Sequence, residues 1–434
     1  MPNPYSYGPM VTDPKMFFGR EEELRTLYTR LRTMQSISIV GLRRIGKSSL
    51  LYRLVQTVRD ELGQNYLPLY IDLQDARYRT VVGFVTAVAG ALNERMGGLL
   101  DVGGVTDMAS FTRLVERLRD NGVCPVLCLD EFEELVQHPE EFGDDFLEGL
   151  RALGSHGKLA LVTASRIPLA DLIQKQGLTS PFFNIFSQIE LGLLEPKAAR
   201  ALRRMPFERE GVILTPEEEA LVEELAGRHP FYLQIACHHL YEVQPEPANR
   251  RADLVRERFY QDAKPHFQQL WEHLDNEAKA ALKMVVGEAV YTNQSEPVLQ
   301  RLACLGLVER VDGKWRVFSN AFAAQVRRYP TPRRSKVRPS IRRSRTILRR
   351  PWLSERPGGL PPISSGHRII LFAGVAIIAV LVATAVSLVL PGQRLRPMLI
   401  IASLILVFAL IGGGYLTGRD FLRWLAQLLG LGGG

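Results

Sequence analysis

The sequence has few cysteines and little that would mark a secreted or disordered protein. Only 4 of its 434 residues are Cys, too few for a disulfide framework, so we expect structural thiols in a reducing compartment. Hydrophobic residues make up 46% of the chain, which excludes a disordered or collagen-like protein. The first residues lack the basic and apolar regions of a signal peptide. We therefore expect two or three domains with sizeable cores in the cytoplasm.

Acidic residues are almost missing from one segment, residues 327–356. This segment holds twelve Lys and Arg against the single acid Glu355, a net charge of +11 in a chain whose formal net charge is +8. The other residues therefore carry −3, the difference between these two values. Because the excess of positive over negative charge is confined to one segment, the composition does not indicate that the globular part binds nucleic acid.

Two stretches near the C-terminus lack charged residues altogether. Residues 369–390 and 398–417 are 22 and 20 residues long. As helices they would be about 33 and 30 Å long, which matches the roughly 30 Å hydrocarbon core of a membrane. A pair of buried core helices is the alternative, but buried helices of this length seldom lack every charge. The pattern predicts a transmembrane helical hairpin over residues 368–417.

The charges beside this hairpin predict its orientation. Segment 327–356 places twelve basic residues before the first span, whereas the loop between the spans contains only Arg394 and Arg396. The positive-inside bias then places the N-terminal globular part of the chain and the tail, residues 418–434, on the cytoplasmic side of the cell membrane. We expect a multi-pass protein with two spans. We also expect the basic Pro/Arg-rich linker, residues 329–367, to bind anionic lipids, and the amphipathic tail to lie in the interface.

The N-terminal three quarters of the chain predict three domains. Short apolar runs alternate with amphipathic stretches, which predicts an α/β core with a parallel sheet over residues 1–193. Residues 194–272 have a helical pattern throughout. Residues 273–328 combine helices with two alternating runs around Asp312 and Gly313, the signal of a β-hairpin, and so predict a winged helix.

A phosphate-binding loop follows the first predicted strand. Residues 41–48 read Gly-Leu-Arg-Arg-Ile-Gly-Lys-Ser and match G-x-x-x-x-G-K-[ST] between a strand and a helix. The glycines allow the loop to turn its N–H groups towards phosphates, the lysine reaches the β- and γ-phosphates, and the serine hydroxyl ligates Mg²⁺. A chance match in a Gly-rich turn is the alternative. The candidate nucleotide-binding residues here are Gly41, Gly46, Lys47, Ser48 and Ser49.

Two carboxylates follow a later apolar run. Asp130 and Glu131 come directly after Val126–Leu129, at the strand end where open α/β sheets bind ligands. We expect Asp130 to hold Mg²⁺ through water and Glu131 to act as general base on the attacking water, with Lys47 assisting catalysis. The next acids, at positions 133 and 134, are expected on a solvated helix face.

These motifs resemble those of a known class. Residues 17–24 (Phe-Phe-Gly-Arg-Glu-Glu-Glu-Leu), the phosphate loop and residues 129–135 (Leu-Asp-Glu-Phe-Glu-Glu-Leu) resemble STAND proteins, the signal-transduction ATPases with numerous domains, and the related archaeal-type ATPases. These belong to the AAA-like P-loop NTPases, whose core is related to replication initiators. The resemblance covers about residues 15–326. It implies a five-stranded sheet with the P-loop strand central, a helical lid, a winged helix, ATP and Mg²⁺ as cofactors, and a homo-oligomer formed on ATP binding.

The same resemblance implies further nucleotide contacts. Gly19 and Arg20 would lie near the adenine. Arg166, just past a predicted strand, is similar to a sensor Arg that meets the γ-phosphate, and a surface Arg is the alternative. Pro230 belongs to a lid segment that packs against the nucleotide. Arg228 stands where the family often has Gly, and it could reach a phosphate.

The adjacent histidines His238 and His239 do not predict a zinc site. Neighbouring residues on a helix are not aimed at one ion, and the sequence shows no second ligand set at suitable spacing. The metal ligands expected from the sequence are therefore Ser48 and Asp130, which would bind Mg²⁺.

Three functions fit these features. The first is an ATP/ADP-operated switch for signal transduction at a membrane, with slow ATP hydrolysis. The second is a DNA-handling ATPase related to replication initiators, but the presumed recognition helix offers only Gln300 and Arg301, where a major-groove reader presents several such side chains. Nucleic acid is therefore not an expected partner. The third is a membrane-perturbing effector ATPase, although the spans contain no Asp, Glu, Lys, Arg or His and fit an anchor better.

Overall fold

The computed structural model describes residues 3–288 and 295–330, which belong to one unit of the chain. The predicted hairpin, the tail and all but the first two residues of the predicted linker lie outside the described residues. Across the two described ranges, no helix is both long and apolar enough to cross a membrane.

Five apolar runs form the parallel sheet that the sequence predicts. The strands are β1 (Ser36–Val40), β2 (Tyr66–Asp72), β3 (Cys124–Asp130), β4 (Ala160–Ser165) and β5 (Phe186–Glu190). They lie in the order β2-β3-β4-β1-β5, and all neighbours are parallel. The expectation of a central P-loop strand is wrong, because β4 takes the middle and β1 lies next to the edge strand β5. The P-loop strand is nevertheless hydrogen-bonded on both sides.

Helices cover both faces of this sheet. They are α1 (Glu21–Leu31), α2 (Lys47–Leu62), α3 (Val81–Arg95), α4 (Met108–Asp120), α5 (Glu133–Val136), α6 (Asp144–Ser155) and α7 (Leu169–Lys175). Successive residues of β3 alternate between two apolar clusters: Val126 packs in the cluster with α1 and α2, and Leu127 in the cluster with α3, α4 and α6. This alternation explains why every residue of β3 is buried.

The remaining described residues form the helical domain and a small α/β module. The helical domain contains α8 (Pro196–Arg209), α9 (Pro216–Ala226), α10 (Pro230–Glu242) and α11 (Ala248–His273). The module, which we call the β6–β7 module, contains α12 (Asn276–Val285), α13 (Glu296–Cys304), β6 (Val308–Val311), β7 (Lys314–Val317) and α14 (Asn320–Arg328). Asp312 and Gly313 join β6 and β7 as an antiparallel hairpin, and both have positive φ, as such a turn requires.

An N-terminal strap, residues 3–11, connects the helical domain to the core. The Tyr5 hydroxyl is buried and lies 3.2 and 3.0 Å from two carbonyl oxygens of α8. The Tyr7 hydroxyl donates to Asp262 Oδ2 on α11 at 2.6 Å. At its other end, the Val11 N–H donates to Ser49 Oγ at 3.0 Å. The strap was not expected from the sequence, because it has no secondary structure of its own.

The backbones of the helical domain and the β6–β7 module approach each other closely at one glycine. Gly227, directly after α9, has φ +55°, and an added Cβ would lie 1.7 Å from the carbonyl oxygen of Phe318. Any side chain at this position would therefore separate the two backbones as well as strain the residue.

We expect Gly227→Ala to destabilise the protein by about 3 kcal/mol or more, since backbone strain and overpacking each cost about 1–3 kcal/mol. Gly211→Ala is the matched control, because Gly211 also has positive φ (+74°) but no atom lies within 4 Å of the position that an added methyl group would occupy. The control should lose only about 1–2 kcal/mol. Urea unfolding of both variants measures the difference, and equal losses would contradict the close contact.

Candidate functional site

A cavity of about 310 Å³ lies between the P-loop, the helical domain and the strap. Its wall combines polar residues of the loop with apolar side chains from the strap, the segment before α1 and the helical domain. Its lining includes Tyr7, Phe18, Arg20, Gly46, Lys47, Ser48, Ser49, Glu131, Pro230, Phe231 and Gln234. A cleft with an apolar wall and a polar, N–H-rich end fits a nucleotide.

The two glycines of the P-loop are required for different reasons. Gly46 has φ +102° and directly precedes α2, so its left-handed conformation opens the helix N-terminus to the cavity. Gly41 does not have positive φ; an added Cβ would lie 2.8 Å from the Leu191 carbonyl oxygen. The Gly41 N–H donates to the carbonyl oxygen of Ser165 at 3.1 Å, which ties the loop to β4. The first glycine thus permits close packing, and the second permits the turn.

Lys47 is held inside the loop. Its Nζ donates to the carbonyl oxygens of Gly41 at 2.9 Å and Leu42 at 3.2 Å, and the residue is only 5% exposed. Burial lowers the pKa of Lys47, while the carboxylates of Glu131, Glu133 and Asp130 act in the opposite direction. A buried ammonium that is bonded only to carbonyl oxygens can exchange them for the stronger acceptors that phosphate oxygens provide.

Asp130 is buried at the end of β3 and is fixed by two hydrogen bonds. Its Oδ2 accepts from the Tyr70 hydroxyl at 2.7 Å, and its Oδ1 accepts from the Glu131 N–H at 3.1 Å. The sheet register pairs it with Asp72 on β2, so two carboxylates lie at the same edge. Carboxylate and hydroxyl oxygens suit Mg²⁺, with waters completing the coordination. The sequence did not predict the bond from Tyr70 to Asp130, because that bond depends on the pairing of β2 with β3.

Glu131 has the features of a residue prepared for chemistry. Its φ is +50°, a conformation that costs a non-glycine residue energy and is frequent at functional sites. Its side chain lines the cavity. Burial raises the pKa of Glu131, the neighbouring Glu133 and Asp130 raise it further, and Lys47 lowers it. A raised carboxyl pKa makes a better proton acceptor, as a general base requires.

Glu133 is not on a solvated face, so that expectation is wrong. It is 3% exposed: Phe132, the residue before α5, donates its N–H to the Ala164 carbonyl oxygen of β4 at 2.9 Å, and Glu133 Oε1 accepts from Arg166 Nε at 2.5 Å. Its Oε2 is buried and has no hydrogen-bond partner among the described residues. Arg166, the proposed γ-phosphate sensor, is therefore held by a carboxylate here, and both residues line a second cavity of about 320 Å³. Its contact with phosphate stays a prediction.

Arg20 and Gly19, the two residues expected near the adenine, make different contacts beside the cavity. The Arg20 guanidinium donates to the carbonyl oxygens of Ile45 at 3.3 Å and Gly192 at 2.6 Å, so it braces the P-loop from the cavity wall. Gly19 has φ +75°, and an added Cβ would lie 2.7 Å from Ala198 Cβ. Gly19 thus serves the packing of α8 beside the cavity, and its contact with adenine stays a prediction.

Arg228 joins three parts of the protein. Its Nη1 donates to the Leu194 carbonyl oxygen at 2.5 Å, and its Nε and Nη2 donate to Glu309 Oε2 on β6 at 3.1 and 2.6 Å. The Leu194 N–H donates back to the Arg228 carbonyl oxygen at 3.1 Å. We call this set the Arg228 latch. These bonds engage the Arg228 guanidinium, and the phosphate contact that the sequence suggested for it stays a prediction.

Comparisons with known proteins agree with this geometry. Residues 33–290, more than half of the chain, match the model of the family described as nSTAND2, Novel STAND NTPase 2. The fold is similar to that of the Walker-type ATPase PABY2304 of Pyrococcus abyssi, at 15% identity and a TM-score of 0.52, covering 74% of this chain and 99% of the other. The ADP form of the Aeropyrum pernix ORC2 protein matches at 15% identity and a TM-score of 0.47, covering 74% and 96%. No curated protein matches the sequence.

We expect Lys47→Ala to weaken binding of ATP with Mg²⁺ by at least about tenfold, because each hydrogen bond to a charged group contributes about 1.5–3 kcal/mol. Lys197→Ala, at an exposed position of α8, is the control and should bind as the unchanged protein does. Titration calorimetry measures both affinities. Tight ATP binding by the Lys47 variant would contradict the assignment of this site.

Proposed function

Because the chain belongs to the nSTAND2 family of STAND NTPases, we propose that it is an ATP-operated switch that is anchored in a membrane and hydrolyses ATP slowly. One observation carries the nucleotide part of the proposal. The buried Lys47 and the carboxylates of Asp130 and Glu131 belong to one electrostatic cluster, beside a helix N-terminus that opens into a cavity. This combination suits a nucleoside triphosphate with its magnesium ion.

The residues of the site fit defined roles in hydrolysis. Ser48 and Asp130 would hold Mg²⁺, which neutralises charge on the phosphates when it is bound. Glu131 would take a proton from the water that attacks the γ-phosphorus, while the bond to the β–γ bridging oxygen breaks. Lys47 would leave the carbonyl oxygens of the loop and stabilise the charge that develops on the transferred group.

The proposed switch uses two ion pairs that can each break. Arg166 is bonded to Glu133, and a γ-phosphate offers its guanidinium a competing bidentate partner. The Arg228 latch connects Leu194, at the end of the core, to Glu309 of the β6–β7 module. A change in the angle of the helical domain around ATP would strain this latch. ATP and ADP would thereby set different packings of the same domains.

The membrane anchor in this proposal rests on the sequence alone. The uncharged stretches 369–390 and 398–417, preceded by the basic segment 327–356, support a hairpin whose flanks face the cytoplasm and bind anionic lipids. Oligomerisation on ATP binding is part of the proposal by analogy with the family. DNA handling is less favoured, because Arg301 of the presumed recognition helix pairs with Asp275 Oδ2 at 2.8 Å. No described feature favours membrane perturbation over anchoring.

We expect Glu131→Gln to retain nucleotide affinity but to lose hydrolysis by about 100-fold or more, the range that loss of a general base costs. Glu134→Gln, one turn away on α5, is the control and should hydrolyse normally. Asp130→Asn should instead weaken the dependence of the hydrolysis rate on Mg²⁺. A phosphate-release assay measures these rates. Unchanged hydrolysis in the Glu131 variant would contradict the assigned base.

The pH dependence of hydrolysis provides a separate check. Because the pKa of Glu131 is raised above its ordinary value of 4.5, the carboxylate becomes protonated, and the base is lost, at a higher pH than for an exposed Glu. We expect kcat to fall on acidification with an apparent pKa above 4.5, and Glu131→Gln to remove this acid limb from the residual rate. An acid limb that persists in the variant would assign it to another group.

Cysteine labelling in intact cells tests the proposed topology. In a Cys304→Ser background, which removes the exposed native thiol, a cysteine at position 395 should react with a membrane-impermeant reagent. Cysteines at positions 340 and 432 should react only after lysis. Labelling at 340 or 432 without lysis would contradict the orientation, and full extraction of the protein by alkaline carbonate would contradict the spans.

A further inference from the structure

Three potential metal ligands converge on α10, outside the nucleotide cavity. His238, His239 and Glu242 each offer one ligand atom, and these atoms all lie within 4.8 Å of one another. Neither a shared ion for the adjacent histidines nor a further ligand at suitable spacing was expected from the sequence, but Glu242 offers such a ligand. Glu242 lies three and four residues later, one turn along the helix, and its carboxylate reaches both rings.

The distances between these atoms suit a tetrahedral metal. His238 Nε2 lies 3.1 Å from Glu242 Oε1, and His239 Nδ1 lies 3.5 Å from Glu242 Oε2. Bonds of about 2.0–2.1 Å from Zn²⁺ to nitrogen and oxygen in a tetrahedron place the ligand atoms roughly 3.3 Å apart. Two of the three ligand–ligand distances therefore require only small adjustments to enclose an ion.

The other nitrogen of each ring is already held by an acceptor. His238 Nδ1 lies 2.8 Å from the Tyr5 carbonyl oxygen, and His239 Nε2 lies 2.8 Å from Asp262 Oδ2. When each of these nitrogens carries the proton, the lone pairs of His238 Nε2 and His239 Nδ1 are free to bind an ion. Metal-ligating histidines usually have such a partner, which fixes the tautomer and the orientation of the ring.

His239 Nδ1 is the atom of the cluster whose hydrogen-bonding capacity is not satisfied by the described residues. The residue is 7% exposed, and within the described part of the chain Nδ1 makes no hydrogen bond although it faces Glu242. A buried polar atom without a hydrogen bond costs about 1–3 kcal/mol. Coordination of an ion would satisfy it. A doubly protonated His239 paired with Glu242 is the competing explanation, and it requires no metal.

We propose that His238, His239 and Glu242 bind one divalent transition-metal ion of the Zn²⁺ class, with the remaining position open to water. Glu242 is 41% exposed on its side chain, so solvent reaches the site. Arg258 Nη1 lies 3.4 Å from Glu242 Oε2, a half-exposed ion pair of small stability that the ion would displace. Two histidines and one carboxylate with an open position are a donor set that Zn²⁺ and related ions accept.

The bound ion would fasten the strap to the helical domain. His238 bonds the backbone of Tyr5, and Asp262 bonds both His239 and the Tyr7 hydroxyl. Residues 6–11 of the same strap line the nucleotide cavity. The ion therefore stabilises one wall of that cavity from a distance, without contacting the nucleotide.

Titration of the full-length protein with Zn²⁺ tests the site. The protein is stripped with a chelator and saturated with ADP and Mg²⁺, so that the P-loop is filled, and Zn²⁺ binding is measured by competition with a chromophoric chelator. We expect a site that Glu242→Gln weakens by at least about 100-fold and Asp262→Asn by about 10–100-fold, the usual effect of losing a ligand's hydrogen-bond partner. Glu257→Gln, exposed on α11, is the matched control and should bind Zn²⁺ normally.

Retained ADP binding shows that each variant is folded. Co²⁺ gives a second readout, because the intensity of its visible absorption distinguishes tetrahedral from octahedral coordination, and the tetrahedral spectrum should disappear in Glu242→Gln. Equal Zn²⁺ affinity in the Glu242 variant and the unchanged protein would overturn the proposal. So would the absence of Zn²⁺ binding below about 100 μM, which would assign the cluster to hydrogen bonding alone.

Discussion

Lys47 places a positive charge in an interior from which water is nearly excluded, and the carboxylates of Asp130, Glu131 and Glu133 act on it. An unpaired buried charge costs several kcal/mol, so this arrangement needs acceptors close to the ammonium. The loop supplies them as the carbonyl oxygens of Gly41 and Leu42. The rest of the site follows from this requirement, because the loop must approach the sheet closely enough to direct those carbonyls inward.

The buried carboxylates around Lys47 also need partners. Glu133 would be a costly buried carboxylate without the Arg166 guanidinium, and Asp130 is satisfied by Tyr70 and a backbone N–H. In the proposed function, a nucleotide or a magnesium ion would replace one partner in each of these pairs. Arg166, directly after β4, would then pass occupancy of the cavity to that strand. The Arg228 latch and the strap then provide connections from the core to the helical domain and the β6–β7 module.

Local motifs were predictable, and their surroundings were not. The P-loop, the acids after β3 and the hairpin at Asp312 follow from residues that are adjacent in sequence and whose backbone preferences are strong. The burial of Glu133, the bond from Tyr70 to Asp130 and the strap depend on which strands and helices become neighbours. The position of β1 beside the edge strand is also a property of the whole sheet, so the resemblance placed it wrongly.

The distance between the core and the β6–β7 module tests the central claim most directly. Spin labels at exposed positions 120 on α4 and 314 on β7, in a Cys304→Ser background, report this distance by pulsed electron resonance in the full-length protein. If the nucleotide sets the packing of the domains, ADP and a non-hydrolysable ATP analogue will give distance distributions whose maxima differ by several ångströms. Superimposable distributions, with both nucleotides bound to saturation, would contradict the switch.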